Sequence, residues 1–306
     1  MNNLSVWLLA LRLRTLPLAT ASIIVAAGIA VHHQIFNLTV FLLSLSTALL
    51  LQILSNLAND YGDAATGADD ENRVGPLRAM QTGVITQKSM KFAIQITTVL
   101  TLISGLSLLF IALAGDLTSW LIFIGLGALA IIAAITYTMG KLPYGYHALG
   151  DLAVFLFFGL LGVIGSFYLY GLNADWALLL PASSIGMLSA AVLNINNIRD
   201  VENDTKHNKT TLVVLYGRSV AFKYHLFLIT LAPLLSAIYL SNLENTQTWQ
   251  YIFLLAMSPL IKSCLALKEA LDKENMSGEV FNEQLKNTAI STFVFAMLFA
   301  LVLIPQ

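Results

Sequence analysis

Charge is what this sequence has least of. Only 11% of its 306 residues are Asp, Glu, Lys or Arg, less than half of the roughly 25% carried by an ordinary soluble domain. A solvated surface wrapped around one globular core is therefore excluded. Cysteine is scarce as well. The single Cys264 rules out an intrachain disulfide and a cysteine metal cluster, and its apolar neighbours read as packing. The first apolar run lacks the cleavage site of a secretory leader. No linker or low-complexity tract divides the chain, so residues 1–306 are expected to form a single domain.

What fills the sequence instead is hydrocarbon, at 57% hydrophobic residues. Apolar runs near the length of a bilayer crossing recur throughout. They predict nine spans, at 16–33, 38–58, 91–113, 119–139, 148–170, 176–196, 221–240, 249–267 and 288–304. Lipid permits only helices or closed barrels, and runs this long exclude the short alternating strands of a barrel. The expected fold class is an all-α polytopic membrane protein whose solvent is the lipid bilayer.

A second absence fixes its orientation. The connections 34–37, 114–118, 171–175 and 241–248 contain no Lys or Arg, only Asp116, Asp175 and Glu244. All 16 basic residues lie toward the opposite side. The positive-inside rule then puts the N-terminus in the cytoplasm and the C-terminus outside. No nucleic-acid partner is expected, and the oligomeric state is left open.

The few charges gather in two stretches at the cytoplasmic ends of the second and sixth spans. The first, 56–86, carries Asn59, Asp60, Asp63, Asp69, Asp70, Glu71, Arg73 and Arg78; the second, 194–212, carries Asn196, Asn197, Arg199, Asp200, Asp204 and Lys209. Asp60 and Asp63 are three apart and Asp200 and Asp204 four apart, so a continuing helix projects each pair from one face. Like charges so arranged repel unless a cation joins them. Carboxylate oxygens select a hard ion, Mg2+, and Mg2+ keeps coordination sites for water and substrate phosphate. The metal ligands expected are Asp60, Asp63, Asp200 and Asp204, with Asn59, Asn196 and Asn197 as neutral neighbours. Arg73, Arg78, Lys141, Arg199 and Lys209 are candidates for free phosphate oxygens. Residues 75–83, with three turn-forming Gly and Pro, read as a shaped loop over this polar site. Asp151 opens an apolar span, where an ionised carboxylate needs a partner. Phe155, Phe157 and Phe158 follow it, aromatic faces suited to a cation. A transporter would hold its acids near the bilayer midplane, and these sit at one interface.

Three of these patterns, Asn59-Asp60-x-x-Asp63, Tyr137-x-x-x-Lys141 and Asp200-x-x-x-Asp204, resemble in order and position the motifs of the UbiA-type intramembrane aromatic prenyltransferases. The resemblance covers nearly the whole chain. The runs at 59–86, 143–159 and 194–214 are similar to the branch of that family acting on 1,4-dihydroxy-2-naphthoate in menaquinone synthesis. The resemblance implies a UbiA-like helical bundle, Mg2+, and prenyl transfer from a polyprenyl diphosphate to that acid with loss of diphosphate and CO2. An alternative is another acceptor, such as 4-hydroxybenzoate. It implies catalytic roles for Asp60, Asp63, Tyr137, Lys141, Asp200 and Asp204, and places Asn59, Arg73, Arg78, Lys141, Asn197, Arg199 and Lys209 around the diphosphate and acceptor. One position departs from the pattern: a third Asp belongs four residues after Asp63, and Gly67 stands there, with Asp69 and Asp70 as the next acids.

Overall fold

The computed structural model describes residues 3–67, 77–113, 115–171, 174–273 and 277–305. Ten helices account for most of them: α1 (Asn3–Leu11), α2 (Leu16–His32), α3 (Leu38–Thr66), α4 (Gln87–Ala112) and α5 (Leu117–Thr136), then α6 (Gly150–Tyr168), α7 (Leu179–Lys206), α8 (Leu212–Ser241), α9 (Thr248–Asp272) and α10 (Gly278–Val302). Taking α1 and α2 together, nine helical segments among the described residues are long and apolar enough to cross a membrane. The predicted count of spans is met.

The ends of the helices carry the information the spans alone do not. α3 begins at Asn37, whose side chain accepts from the Thr39 and Val40 amides, an N-cap that satisfies otherwise orphaned donors. It runs eight residues past the predicted end at 58 and so keeps Asp60 and Asp63 on a helix. It stops at Gly67, which caps it with φ 75°, a left-handed conformation that costs a side chain but not glycine. α7 likewise extends from the predicted 196 to Lys206 and carries Asp200 and Asp204 on its last turns. α5, by contrast, ends at Thr136, three residues early, and the chain turns at Gly140 with φ 107°.

The first span is broken. Arg12, between α1 and α2, has φ 48° and ψ 56°, a strained conformation for a side-chain-bearing residue. Asn56 of α3 holds the break by donating to the Leu11 carbonyl and the Thr15 hydroxyl at 3.0 and 3.1 Å. A second irregularity is the π-helical winding of Phe155–Gly165 within α6. The hydroxyl of Ser22 on α2 donates to the Phe158 carbonyl there, and Gly159 meets Gly186 of α7 so closely that a Cβ would lie 2.7 Å from the Ala182 carbonyl oxygen. Such windings recur at functional sites.

α7 is the most enclosed crossing, 72% buried over its apolar window. It packs against α6, α8 and α10, while α3 packs against α4 and α5, and α10 against α2. The half of the bundle away from the acidic residues is filled by rings such as Phe253, Phe295 and Phe299, each fully buried. Toward the charged end the helices part and leave a cavity between α2, α3, α5, α6 and α7.

Candidate active site

The two acidic pairs sit at the mouth of that cavity, one on α3 and one on α7. All four carboxylates are buried: Asp60 is 1% exposed, Asp204 4%, and Asp63 and Asp200 6% each. Burying four anions needs compensating donors, and each has them. Asp60 Oδ1 accepts from Arg12 at 3.1 Å and Arg78 at 3.3 Å, and its Oδ2 from the Ala79 amide at 3.1 Å. Asp63 accepts from the Tyr146 hydroxyl at 3.1 Å, and its Oδ2 lies 3.5 Å from Arg78. Arg78 thus spans both acids of the first pair.

Asp200 receives two hydrogen bonds from its neighbour Arg199, at 2.7 and 2.6 Å, the forked geometry that makes such pairs strong. Asn196 and Asn282 fix the same guanidinium at 2.6 Å each. Asp204 Oδ1 lies 3.2 Å from the Lys209 ammonium, and its Oδ2 is buried with no hydrogen-bond partner among the described residues. Burial alone would lower the pKa of Lys209. The facing carboxylates of Asp204, Asp63 and Asp200 outweigh it and raise the value above the ordinary lysine range. One ammonium therefore feels acids from both α3 and α7.

Lys209 reaches this position because two connections are tied together. The Ala148 amide donates to the Thr210 carbonyl at 2.8 Å and the Thr210 amide to the Tyr146 carbonyl at 3.1 Å. Tyr146 in turn turns its ring to Lys209, 5.8 Å from ammonium to centroid. Burial and the Asp63 charge both raise the pKa of its phenol, which stays protonated as a donor.

Behind this mouth the cavity encloses about 720 Å³ and is lined by Arg12, Asn59, Asp60, Asp63, Arg78, Tyr137, Asn196, Asn197, Arg199 and Lys209 at its polar end. Asp200 and Asp204 stand behind Arg199 and Lys209, which present their cations to the space. Its walls then become apolar, with Ala133, Phe157, Leu161 and Gly162. Along α3 it runs from Asp63 to Ser44, roughly 28 Å at about 1.5 Å per residue. Tyr137 and Tyr144 meet edge to face at 5.3 Å beside it, and burial pushes the Tyr137 phenol up to about 12.

Most of the expected residues are therefore brought together, with one clear exception. Lys141 is exposed and lies outside the cavity. The helical spacing that would have stacked it on Tyr137 does not exist, because α5 ends at Thr136 and Gly140 turns the chain away. Lys209 occupies the position beside the acids instead. Asp151 is buried, with Oδ1 unpartnered among the described residues, and is not part of the lining. Arg73, Asp69, Asp70 and Glu71 lie outside the described residues. Sequence reasoning missed Arg12 and Tyr146. Arg12 counted there only as one more cytoplasmic charge, and no spacing singled out Tyr146 within 143–149.

The donor set suits a hard cation shared with a substrate. Among the described residues no three His, Cys, Asp or Glu side chains gather into a ready-made metal cage. What is present is two separate carboxylate pairs, one with a buried oxygen left unpartnered, and Mg2+ is typically bound through one or two carboxylates with the rest supplied by phosphate and water. The residues fit such an ion.

A helical membrane bundle that joins paired carboxylates and clustered guanidinium groups to a long apolar cavity is an arrangement for a ligand with an anionic head and a hydrocarbon tail. The model of the UbiA prenyltransferase family matches residues 19–281, and the chain belongs to that family. A 1,4-dihydroxy-2-naphthoate octaprenyltransferase of Escherichia coli (strain K12) is 47% identical over 292 residues, covering 95% of this chain and 94% of that protein. The protein of the same description from Haemophilus influenzae is 46% identical over 268 residues, 86% of each chain. Among solved structures, a UbiA homolog from Archaeoglobus fulgidus bound to GPP and Mg2+ shares the fold with a TM-score of 0.59 at 19% identity, covering 95% of this chain and 98% of that one.

Proposed function

We propose that this chain transfers a polyprenyl group from a polyprenyl diphosphate to 1,4-dihydroxy-2-naphthoate, releasing diphosphate and CO2 and yielding a prenylated 1,4-dihydroxynaphthalene, a demethylmenaquinol, whose oxidation to the demethylmenaquinone is a separate step. The observation that carries the reading is one cavity with Asp60, Asp63, Arg78, Arg199 and Lys209 at one end, Asp200 and Asp204 directly behind those cations, and a largely apolar wall further in, roughly 28 Å in all along α3. The extent of the likeness to the two naphthoate enzymes supports the choice of acceptor.

Asp60 and Asp63 on one side and Asp200 and Asp204 on the other would hold Mg2+. When bound, the ion supplies charge neutralisation to the departing diphosphate. Arg78, Arg199 and Lys209 line the same mouth and bind the phosphate oxygens that remain, an electrostatic role in a site of low dielectric. The allylic C–O bond breaks with its electron pair going to the diphosphate. The prenyl cation is left beside Tyr137 and Phe157, which line the cavity next to that end. Their π-faces are attractive to positive charge, and the apolar wall keeps water from quenching it. The electron-rich ring attacks the cation, and its carboxyl group leaves as CO2. The basic residues gathered at this end support a cytoplasmic mouth and N-terminus in a bacterial inner membrane.

The test is prenyl transfer by purified protein in detergent, offering 1,4-dihydroxy-2-naphthoate or 4-hydroxybenzoate with a polyprenyl diphosphate and Mg2+. Product is expected with the naphthoate alone. Product only with hydroxybenzoate would keep the chemistry and overturn the acceptor, and no product with either would overturn the reading.

A further inference from the structure

The two acidic pairs sit on different helices, and their relative position has to be set by something that touches both. α3 and α7 are separated in sequence by more than 110 residues, and neither pair bonds the other directly among the contacts described above. The element between them is the short connection 143–149, which ends α5's turn and leads into α6. One side chain of that connection bonds the first pair and lies against the lysine that holds the second.

Tyr146 is 9% exposed, and every part of it is engaged. Its hydroxyl donates to Asp63 Oδ1 at 3.1 Å and meets the Thr66 hydroxyl at 3.0 Å, one turn further along α3. Its ring face takes the Lys209 ammonium at 5.8 Å, within the range in which a cation is attracted to an aromatic ring. Its carbonyl accepts the Thr210 amide, and the Lys209 amide donates to the Asp204 carbonyl at 2.8 Å. Lys209 then closes on Asp204 Oδ1 at 3.2 Å. The consequence is symmetrical. One oxygen of Asp63 and one of Asp204 are tied by donors that share the Tyr146 ring. The other oxygens are left to Arg78 at 3.5 Å in one case and, among the described residues, to no partner in the other.

We propose that Tyr146 is a positioning residue, holding Asp63 through its hydroxyl and Lys209, and thereby Asp204, through its ring, so that the two acids keep a fixed separation in which one oxygen of each is left for an ion. The inference rests on the functional reading above and deepens it: it assigns the coupling between the two motifs to a residue outside both. Tyr146 touches neither the reacting atoms nor the ion; it acts through the groups that do. Removing only the hydroxyl releases Asp63 Oδ1, with Arg78 still on Oδ2, and leaves the ring under Lys209. Removing the ring frees both.

The experiment is calorimetric titration of full-length protein in detergent with a non-hydrolysable geranyl thiodiphosphate, with and without Mg2+, alongside steady-state kinetics. Tyr146→Phe is expected to weaken Mg2+-dependent binding of the analogue at least about tenfold, the scale of a lost hydrogen bond to a charged group, with the KM for the naphthoate unchanged. Tyr146→Leu is expected to weaken it further, because Lys209 is released as well. Melting temperatures show that both variants are folded. Binding by Tyr146→Phe within twofold of wild type overturns the assignment. So does a loss of equal size without Mg2+, which would mark a merely structural role. Wild-type protein that binds no analogue under any metal condition would instead strike down the functional reading, and the inference with it.

Discussion

Arg12 lies 48 residues before Asp60 in the chain and donates to it at 3.1 Å. The contact exists because the backbone breaks between α1 and α2, with Arg12 itself at φ 48°. Side-chain function and backbone strain meet in one residue, and two substitutions separate them. Arg12→Ala removes the guanidinium and keeps the unfavourable φ, which costs a residue with a Cβ roughly 1–2 kcal/mol. Arg12→Gly removes the same guanidinium and relieves that strain. Both variants are expected to lose activity, since Asp60 gives up one of its donors, but Arg12→Gly is expected to melt higher than Arg12→Ala in detergent. Equal melting temperatures would mean that the break is not strained.

The two lysines near the acids make opposite predictions. Lys141 is exposed and outside the cavity, so Lys141→Ala is expected to stay within about twofold of wild-type activity, the behaviour of most surface changes. Lys209 binds Asp204 and lines the mouth, so Lys209→Ala is expected to lower kcat/KM for the diphosphate by about a hundredfold or more, as loss of one buried charge-stabilising donor does. Its pKa is raised in the folded protein. A lysine of that kind contributes stability in full below its unfolded value and loses it only as pH rises through the higher folded value. A fall in activity between about pH 6 and 9 is therefore not expected to disappear in Lys209→Arg, because Lys209 does not titrate there. Parallel rate measurements on the three variants across that range check all of this.

The contrast shows what was legible in the sequence. Nine apolar runs and one-sided basic residues were enough for the bundle, because a bilayer forces helices of fixed length. The placement of Asp60, Asp63, Asp200 and Asp204 was legible through i, i+3 and i, i+4 spacing, once α3 and α7 ran on past the apolar core. Lys141 misled for the same reason in reverse: four-residue spacing means proximity only inside a helix, and α5 stops before it. Tyr146 and Arg12 were not legible at all. Their positions depend on a backbone bridge to Thr210 and on a left-handed hinge fixed by Asn56, and both are tertiary contacts.

Metal dependence separates the four acids from their cation partners. With EDTA, transfer is expected to stop, and added Mg2+ to restore it. Asp60→Asn and Asp204→Asn keep the shape of the side chain and remove the charge, and each is expected to lower kcat/KM by about a hundredfold or more while raising the Mg2+ concentration needed for half-maximal rate. The second readout matters, since Asn also weakens the bonds to Arg12, Arg78 or Lys209. If the rate falls but the Mg2+ dependence does not move, these carboxylates orient the basic residues and do not hold the ion.

Two glycines, one within the first acidic pair and one just after it, are needed for different reasons. Gly62 lies between Asp60 and Asp63, and a Cβ there would come within 2.6 Å of the Thr138 carbonyl oxygen. Backbone cannot yield as a side chain does, so Gly62→Ala must push α3 away from the end of α5, at a cost of about 1–3 kcal/mol by analogy with overpacked cores. Because Asp63 follows directly, the shift is expected to carry it off Tyr146 and to lower activity along with stability. Gly67 has no described residue beyond its chain neighbours within 4 Å of a Cβ built on it, but its φ is 75°. Gly67→Asp would restore the acid that the wider family pattern carries there, yet it places a Cβ in the left-handed cap and is expected to cost about 1 kcal/mol with no gain in rate. Gly67→Asn, which tolerates that conformation better, is expected to melt between the wild type and Gly67→Asp. Should Gly67→Asp instead raise the rate or tighten Mg2+, the helix must extend beyond Gly67 when substrate binds, and the cap would be a feature of the free protein alone.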